Sequence, residues 1–176
     1  MKNSRKIFLS LRLLLFSSLS PFLLSEGFIP DPPSLNATSY ILIDAVTKKV
    51  LAEKDSNQKI EPASLTKIMT GYVVADQISQ GFVNLDDEVY ISINCWKKGG
   101  SRMYIKEGTR VLLSDLIKGM VVSSGNDASC AIAEHIAGTE EKFVQLMMKY
   151  VSKMGLSNTN LVNPHGWPNN NHYSSA

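Results

Sequence analysis

The chain has 176 residues, of which 44% are hydrophobic and 19% charged, so its length suits one domain and its composition excludes a disordered or fibrous protein. Its 18 basic and 16 acidic side chains give a formal net charge of +2. No basic stripe with interleaved aromatic residues is present to neutralise phosphates, which argues against nucleic acid as a partner.

The first 27 residues have the pattern of a secretory signal peptide. Three basic residues precede a largely apolar run over residues 7–24, which is too short and too interrupted for a typical membrane-spanning helix. We expect cleavage after Gly27, with Ser25 as the alternative, and a membrane anchor is the other interpretation. Cleavage after Gly27 would remove four of the basic side chains and one of the acidic ones, which leaves a net charge of −1.

The next segments are predicted to be extended, then β, then helical. Residues 28–38 contain three prolines and predict an extended leading segment. Residues 39–44, where the domain begins, and residues 49–53 are β-forming runs that predict a hairpin. Ser64 is the predicted N-cap of a helix that stops at Gly81.

The rest of the chain is predicted to contain one irregular segment and three helices. Residues 82–110 hold several turn-forming pairs, so we expect a mostly non-helical excursion there. A helix that starts at Ser114 should break at residues 123–126, and a second should resume directly afterwards. Thr139 should cap an amphipathic helix closed by Gly155, whose apolar stripe predicts core packing.

Cys95 and Cys130 are the only cysteines. An exported protein could join them in a disulfide if their geometry allowed it. Cys130 lies in an apolar helical stretch, however, and we favour a buried free thiol because cysteine is so often a core residue. With three histidines and no Cys-x-x-Cys pair, the spacing typical of a metal site is absent, so no metal or other cofactor is expected.

Two short motifs carry the candidate chemistry. Ser64 and Lys67 form a Ser-x-x-Lys pair, in which the lysine follows by one helical turn and can act as a base if burial lowers its pKa. Ser124 and Asn126, in Ser-Gly-Asn, lie 60 residues beyond Ser64 at the predicted helix break and supply a second hydroxyl and an amide. A capped helix or a polar turn would explain either motif alone, but together they predict an active site. His165 is expected to be a loop residue rather than a general base.

With their flanking residues, these motifs resemble the low-molecular-mass D-alanyl-D-alanine carboxypeptidases, which are penicillin-binding proteins. The resemblance runs from about residue 39 to residue 176 and includes residues 62–70, the Ser-Gly-Asn-Asp-Ala segment and Asn-Pro-His-Gly at residues 163–166. It implies an α/β (α+β) fold of the β-lactamase/transpeptidase type, in which a helical cluster accompanies part of an antiparallel sheet.

The resemblance also implies a role for each motif residue. Ser64 would attack the carbonyl between two terminal D-alanines, and Lys67 would accept its proton. Ser124 would relay a proton to the leaving amine, and Asn126 would bind the peptide backbone of the substrate. The implied partner is a peptidoglycan stem peptide that ends in D-Ala-D-Ala, and β-lactams would acylate Ser64 as its mimics. The implied location is the periplasm or the outer face of the bacterial inner membrane.

One part of the family pattern is absent from the sequence. There is no Lys-Thr-Gly motif, and the sequence stops where the resemblance would continue. We therefore expect residues 39–176 to be the N-terminal part of a truncated domain, without its C-terminal strands or the tail that binds membranes, and to have little activity alone. Two alternatives remain. A class A β-lactamase-like hydrolase is disfavoured by Gly125, since such enzymes have Ser-Asp-Asn, and the other alternative is an inactive wall-binding or vestigial protein.

Overall fold

The computed structural model describes residues 31–176. The signal peptide predicted for residues 1–27 therefore lies outside the described residues. The chain divides into two units, Met1–Leu35 and Asn36–Ala176. Of the first unit, residues 31–35 are described and have no regular secondary structure. In the described part of the chain, no helix has the length and hydropathy that a membrane crossing requires.

Five α-helices and four short strands make up the described part of the second unit. In chain order they are β1 (Tyr40–Ile43), β2 (Val50–Lys54), α1 (Thr66–Ser79), β3 (Glu88–Tyr90), α2 (Ile93–Trp96), β4 (Arg110–Leu112), α3 (Leu113–Val122), α4 (Asn126–Ala137) and α5 (Glu140–Lys153). The strands pair antiparallel as β1 with β2 and β3 with β4. The predicted hairpin over residues 39–53 is thus confirmed, as is the mixture of a helical cluster with part of an antiparallel sheet.

Helix α1 starts later than predicted, because Ser64 is not its N-cap. Ser64 lies in a single 3₁₀ turn, Ala63–Leu65, and the α-helix begins at Thr66 with no side-chain hydrogen bond at the N-cap position. The Ser64 hydroxyl contacts other side chains of the candidate site instead. The predicted end is confirmed, since Gly81 lies just beyond the helix with a φ of +76°, a conformation that glycine adopts without strain.

The other predicted helix boundaries are close to the observed ones. The chain breaks between α3 and α4 at residues 123–125, as predicted from the Ser-Ser-Gly-Asn sequence. Thr139 caps α5, because its side chain accepts a hydrogen bond from the Lys142 backbone N–H at 3.2 Å. Residues 82–110 are mostly irregular, with only β3 and the single turn of α2 before β4 begins.

Helix α4 is the centre of the core. It packs against α1, α2, α3, α5 and β3, and all residues from Asn126 to Ala133 are buried. Small side chains, including Ala128, Ala131 and Ala133, allow its neighbours to approach closely. Helix α5 completes the core with its apolar stripe, as predicted, and Phe143 is fully buried. Because α4 is enclosed, the residues of its first turn are held firmly by the core.

The expectation of free thiols is wrong. Cys95 in α2 and Cys130 in α4 form a disulfide, with their Cα atoms 5.2 Å apart. The sequence could not show this approach, which depends on the packing of two helices 35 residues apart. Glu134 lies near the two sulfur atoms, and these three residues are the one group of potential metal ligands found among residues 31–176. Sulfurs joined in a disulfide are not thiolate ligands, however.

We expect the disulfide to contribute substantially to stability. It closes a loop of 35 residues, for which the chain-entropy model gives about 4 kcal/mol. The variant in which both Cys95 and Cys130 are alanine should therefore have a free energy of unfolding lower by about 3–4 kcal/mol in urea denaturation. Reductant should destabilise the wild-type protein but not the variant. Equal stability of the oxidised wild type and the variant would contradict the prediction.

Candidate active site

The Ser64 hydroxyl lies at the junction of two chain segments that are distant in sequence. Lys67 Nζ is 3.3 Å from Ser64 Oγ, one turn along the helix, and Ser124 Oγ donates a hydrogen bond to Ser64 Oγ at 3.0 Å. Ser124 comes from the break between α3 and α4. The structure therefore brings together the Ser-x-x-Lys pair and the Ser-Gly-Asn motif.

Lys67 is buried, with 8% of its surface exposed. Its ammonium group donates to Asn126 Oδ1 at 2.8 Å and to the His165 carbonyl at 2.7 Å. No carboxylate among residues 31–176 forms a salt bridge with it. Burial therefore lowers the pKa of Lys67 from 10.5 to about 8, because desolvation disfavours the charged form. A lysine with this pKa can serve as a base near neutral pH.

Asn126 is fixed on several sides. Besides accepting from Lys67, its side chain donates from Nδ2 to the Gly99 carbonyl at 2.8 Å, and its backbone N–H donates to the Ser101 carbonyl at 2.8 Å. These contacts join the first turn of α4 to the loop that follows α2. The orientation of the Asn126 amide is therefore set by its surroundings before any ligand binds.

The backbone around the Ser64 hydroxyl is strained. Ala63 and Ser124 have φ angles of +46° and +53°, which are unfavourable for residues other than glycine. Such strain persists only where the surrounding structure enforces it, and it is commonly found at functional sites. Gly166 lies directly against this turn, because a Cβ atom built on it would be 1.8 Å from the Ala63 carbonyl oxygen.

Asp127 is a structural residue of the site that the sequence analysis missed. Its buried carboxylate accepts hydrogen bonds from the backbone N–H groups of Met103, Tyr104 and Ile105. It thereby fixes the loop beside the Ser-Gly-Asn motif. The sequence offered one indication, an acidic residue within the first turn of a helix that is otherwise apolar, but not the loop to which it binds.

His165 also contributes in a way that the sequence did not predict. Its backbone carbonyl contacts Lys67, while its ring accepts from the Trp167 N–H at 3.2 Å and lies 3.4 Å from Glu140 Oε1. No hydrogen bond joins the His165 ring to Ser64 among the described side chains. The geometry agrees with the expectation that this histidine is not the general base.

A cavity of about 320 Å³ opens onto the Ser64 hydroxyl. Ser64, Lys67 and Ser124 provide its polar lining, and apolar side chains from α1 and α3 provide the rest, among them Ile68 and Val121. The arrangement of a serine, a buried lysine and a second serine around one hydroxyl suits nucleophilic attack on a carbonyl, with the lysine as proton acceptor.

Comparison with known proteins confirms the resemblance predicted from the motifs. Residues 26–176 match the model of the D-alanyl-D-alanine carboxypeptidase family. The chain is 40% identical to the D-alanyl-D-alanine carboxypeptidase DacD of Escherichia coli (strain K12), over 94% of this chain and 46% of the relative. It is 41% identical to DacA of Haemophilus influenzae, over 92% of this chain and 42% of the relative.

Solved structures confirm the predicted fold. Penicillin binding protein 5 from Haemophilus influenzae superposes with a TM-score of 0.80 at 42% identity, over 84% of this chain and 44% of that one. Penicillin binding protein 6B from Escherichia coli gives a TM-score of 0.79 at 40% identity, over 85% and 49%. The chain thus spans less than half the length of these relatives.

Proposed function

Because this chain belongs to the D-alanyl-D-alanine carboxypeptidase family, peptidase family S11, we propose that it carries the acylating residues of a serine-type D-Ala-D-Ala carboxypeptidase. The substrate is a peptidoglycan stem peptide from which the terminal D-alanine is removed. One observation carries the proposal: Lys67 Nζ and Ser124 Oγ both lie within 3.3 Å of the Ser64 hydroxyl oxygen.

The acylation step follows from these contacts. Ser64 Oγ attacks the carbonyl carbon of the penultimate D-alanine, and neutral Lys67 takes the hydroxyl proton. The peptide bond to the terminal D-alanine breaks, and Ser124 relays the proton held by Lys67 to the leaving amine, so that Lys67 becomes neutral again. The acyl group stays on Ser64 as an ester. Water then hydrolyses this ester, which releases the shortened peptide and restores the Ser64 hydroxyl. The Ser64 backbone N–H is one donor to the oxyanion.

Asn126 is proposed to bind the peptide backbone of the substrate. Its Nδ2 carries two hydrogens, of which one is used by the Gly99 carbonyl. The second is available to a substrate carbonyl. Since Asn126 Oδ1 is held by Lys67 Nζ at 2.8 Å, the bound peptide and the base are coupled through a single side chain.

Acylation by β-lactams at Ser64 is part of the proposal, and the geometry near Gly125 favours a penicillin-binding protein over a class A β-lactamase. The Ser-Asp-Asn motif of the lactamase would place a side chain at position 125. A Cβ atom there would lie 2.9 Å from Asp127 Oδ1 and 3.2 Å from the Met103 backbone nitrogen. Both atoms belong to the hydrogen bond that fixes the neighbouring loop, so the lactamase motif would disturb it.

The proposed location is outside the cytoplasm, in the periplasm or on the outer face of the inner membrane. The Cys95–Cys130 disulfide supports it, because disulfides persist in oxidising compartments and are rare in the cytosol. The same compartment holds peptidoglycan, whose stem peptides carry the D-alanyl-D-alanine end for which the relatives are named. Residues 1–27 are proposed as the signal for export.

Covalent labelling by a fluorescent penicillin tests the proposed function. We expect the protein to gain one adduct, located on Ser64 by mass spectrometry of its peptides, and the Ser64→Ala variant to gain none. Slow loss of the adduct indicates a penicillin-binding protein, whereas rapid release of hydrolysed penicillin indicates a lactamase. An unlabelled wild-type protein, or an adduct that persists in Ser64→Ala, would exclude the proposed nucleophile.

Labelling is a better readout than release of D-alanine for the 176-residue chain. The sequence contains no Lys-Thr-Gly, the motif whose strand supplies one oxyanion donor beside the nucleophile in this family. Loss of one oxyanion donor lowers the rate by about 10²–10³, so we expect the chain on its own to turn over peptide slowly. An adduct that leaves slowly still accumulates at such rates.

A further inference from the structure

A buried cluster of charged and polar side chains lies behind the proposed active site. Its centre is Glu140, the first residue of α5, whose side chain is 14% exposed. One carboxylate oxygen accepts hydrogen bonds from Lys98 Nζ and, at 3.2 Å, from Asn94 Nδ2, and the other lies 3.4 Å from His165 Nε2. Burial acts to raise the pKa of Glu140, but the His165 ring and the Lys98 ammonium beside its carboxylate outweigh burial and lower the pKa to about 2.

Two partners of Glu140 belong to the chain segments that hold the active-site side chains. Lys98 is followed by the glycine whose carbonyl accepts from Asn126 Nδ2 at 2.8 Å. His165 itself supplies the carbonyl that accepts from Lys67 Nζ at 2.7 Å. The carboxylate of Glu140 therefore contacts two segments that are more than 60 residues apart in sequence. One of them binds Lys67 and the other binds the side-chain amide of Asn126.

We propose that Glu140 is a positioning residue, which keeps Lys67 and Asn126 in place by clamping together the two loops behind them. This inference rests on the proposed function, since it concerns the same site. Glu140 makes no hydrogen bond to Ser64, Lys67 or Ser124 within residues 31–176. Its effect on acylation passes through the backbone carbonyls of the two loops.

The general role of an acid at a helix N-terminus does not account for this arrangement. Glu140 and Glu141 both lie in the first turn of α5, where either carboxylate interacts favourably with the helix dipole. Glu141 is exposed, whereas Glu140 is buried against the loops. Glu141→Gln is therefore a matched control, which removes the same charge from the same helix end without touching the clamp.

Two measurements on Glu140→Gln test the proposal. The first is the rate of acylation by fluorescent penicillin, for which we expect a fall of about 10- to 100-fold, since displacement of reacting groups by about 1 Å costs up to about 10² in rate. The second is independent of catalysis: the NMR resonances of the Asn126 side-chain amide, identified by their absence in Asn126→Asp, should shift as the contact with the Gly99 carbonyl loosens. Glu141→Gln should leave both unchanged.

A folded Glu140→Gln protein with the wild-type acylation rate and unmoved Asn126 resonances would overturn the proposal. If Glu140→Gln does not fold, Lys98→Gln breaks the same contact from the loop side and should show the same two effects. Failure of the proposed function is distinguishable, because it would appear as an unlabelled wild-type protein. In that case the Asn126 resonances alone decide whether Glu140 holds the loop.

Discussion

The Lys67→Met variant is expected to be acylated by penicillin about 10²–10⁴-fold more slowly than the wild-type protein, the range that a positioned general base contributes. Methionine is unbranched, only one atom shorter than lysine and suited to a buried site, so the change removes the amine with little change in volume. Without the amine, the proton of Ser64 has no acceptor at the 3.3 Å position. Stopped-flow or gel-based labelling with fluorescent penicillin measures the rate.

The pH dependence separates a base from a residue that only fills space. With a pKa of about 8, roughly a tenth of the Lys67 side chains are neutral at pH 7, against roughly one in three thousand for an unperturbed lysine. The wild-type rate should therefore rise as the pH increases through about 8 and then level off, while Lys67→Met stays slow at every pH. Lys142→Met, which removes an exposed lysine, should behave as wild type. A Lys67→Met rate within tenfold of wild type would assign the base to another group.

The Gly166→Ala variant is expected to lose both stability and acylation. Gly166 has a φ of +85°, and the added Cβ would lie 1.8 Å from the Ala63 carbonyl oxygen and 3.1 Å from the Ser64 backbone nitrogen. Backbone strain and overpacking each cost about 1–3 kcal/mol, so the free energy of unfolding should fall by about 2–6 kcal/mol in urea. Because the turn that carries Ser64 must move, labelling should slow by about 10².

Gly155→Ala is the matched control for this substitution. Gly155 also has a positive φ, +70°, but a Cβ there would meet no atom within 4 Å. It should therefore lose only the stability that the strained backbone costs, about 1 kcal/mol, and keep the wild-type labelling rate. If Gly166→Ala and Gly155→Ala are equally stable and equally reactive, the contact between Gly166 and the turn that carries Ser64 contributes neither to stability nor to acylation.

The parts of the fold that local sequence determines were predicted well. The break at residues 123–125 follows from residue types that are poor helix formers, and the cap at Thr139 depends on a side chain that accepts from a nearby backbone N–H. The apolar stripe of α5 depends on helical spacing. Ser64 shows where local reasoning fails. Its residue type favours an N-cap, but its hydroxyl contacts Lys67 and Ser124 instead, so a long-range contact outweighs the local preference.

The contacts that the sequence could not predict are all long-range. The disulfide joins two helices whose approach depends on core packing. The His165 carbonyl that holds Lys67 is a backbone atom, and backbone atoms carry no residue-specific pattern. Glu140 has the sequence context of an ordinary acid in the first turn of a helix, and only its burial against two loops distinguishes it from Glu141. Such contacts can be identified only in the folded structure.

The enclosed position of α4 limits how this site can evolve. The helix carries Asn126 and Asp127 in its first turn, and residues 126–133 are buried against other elements, so substitutions in this part change packing and reactivity together. The two loops beside it share this constraint, because the Gly99 carbonyl binds Asn126 and the His165 carbonyl binds Lys67. A change in either loop is therefore expected to require a compensating change elsewhere in the site.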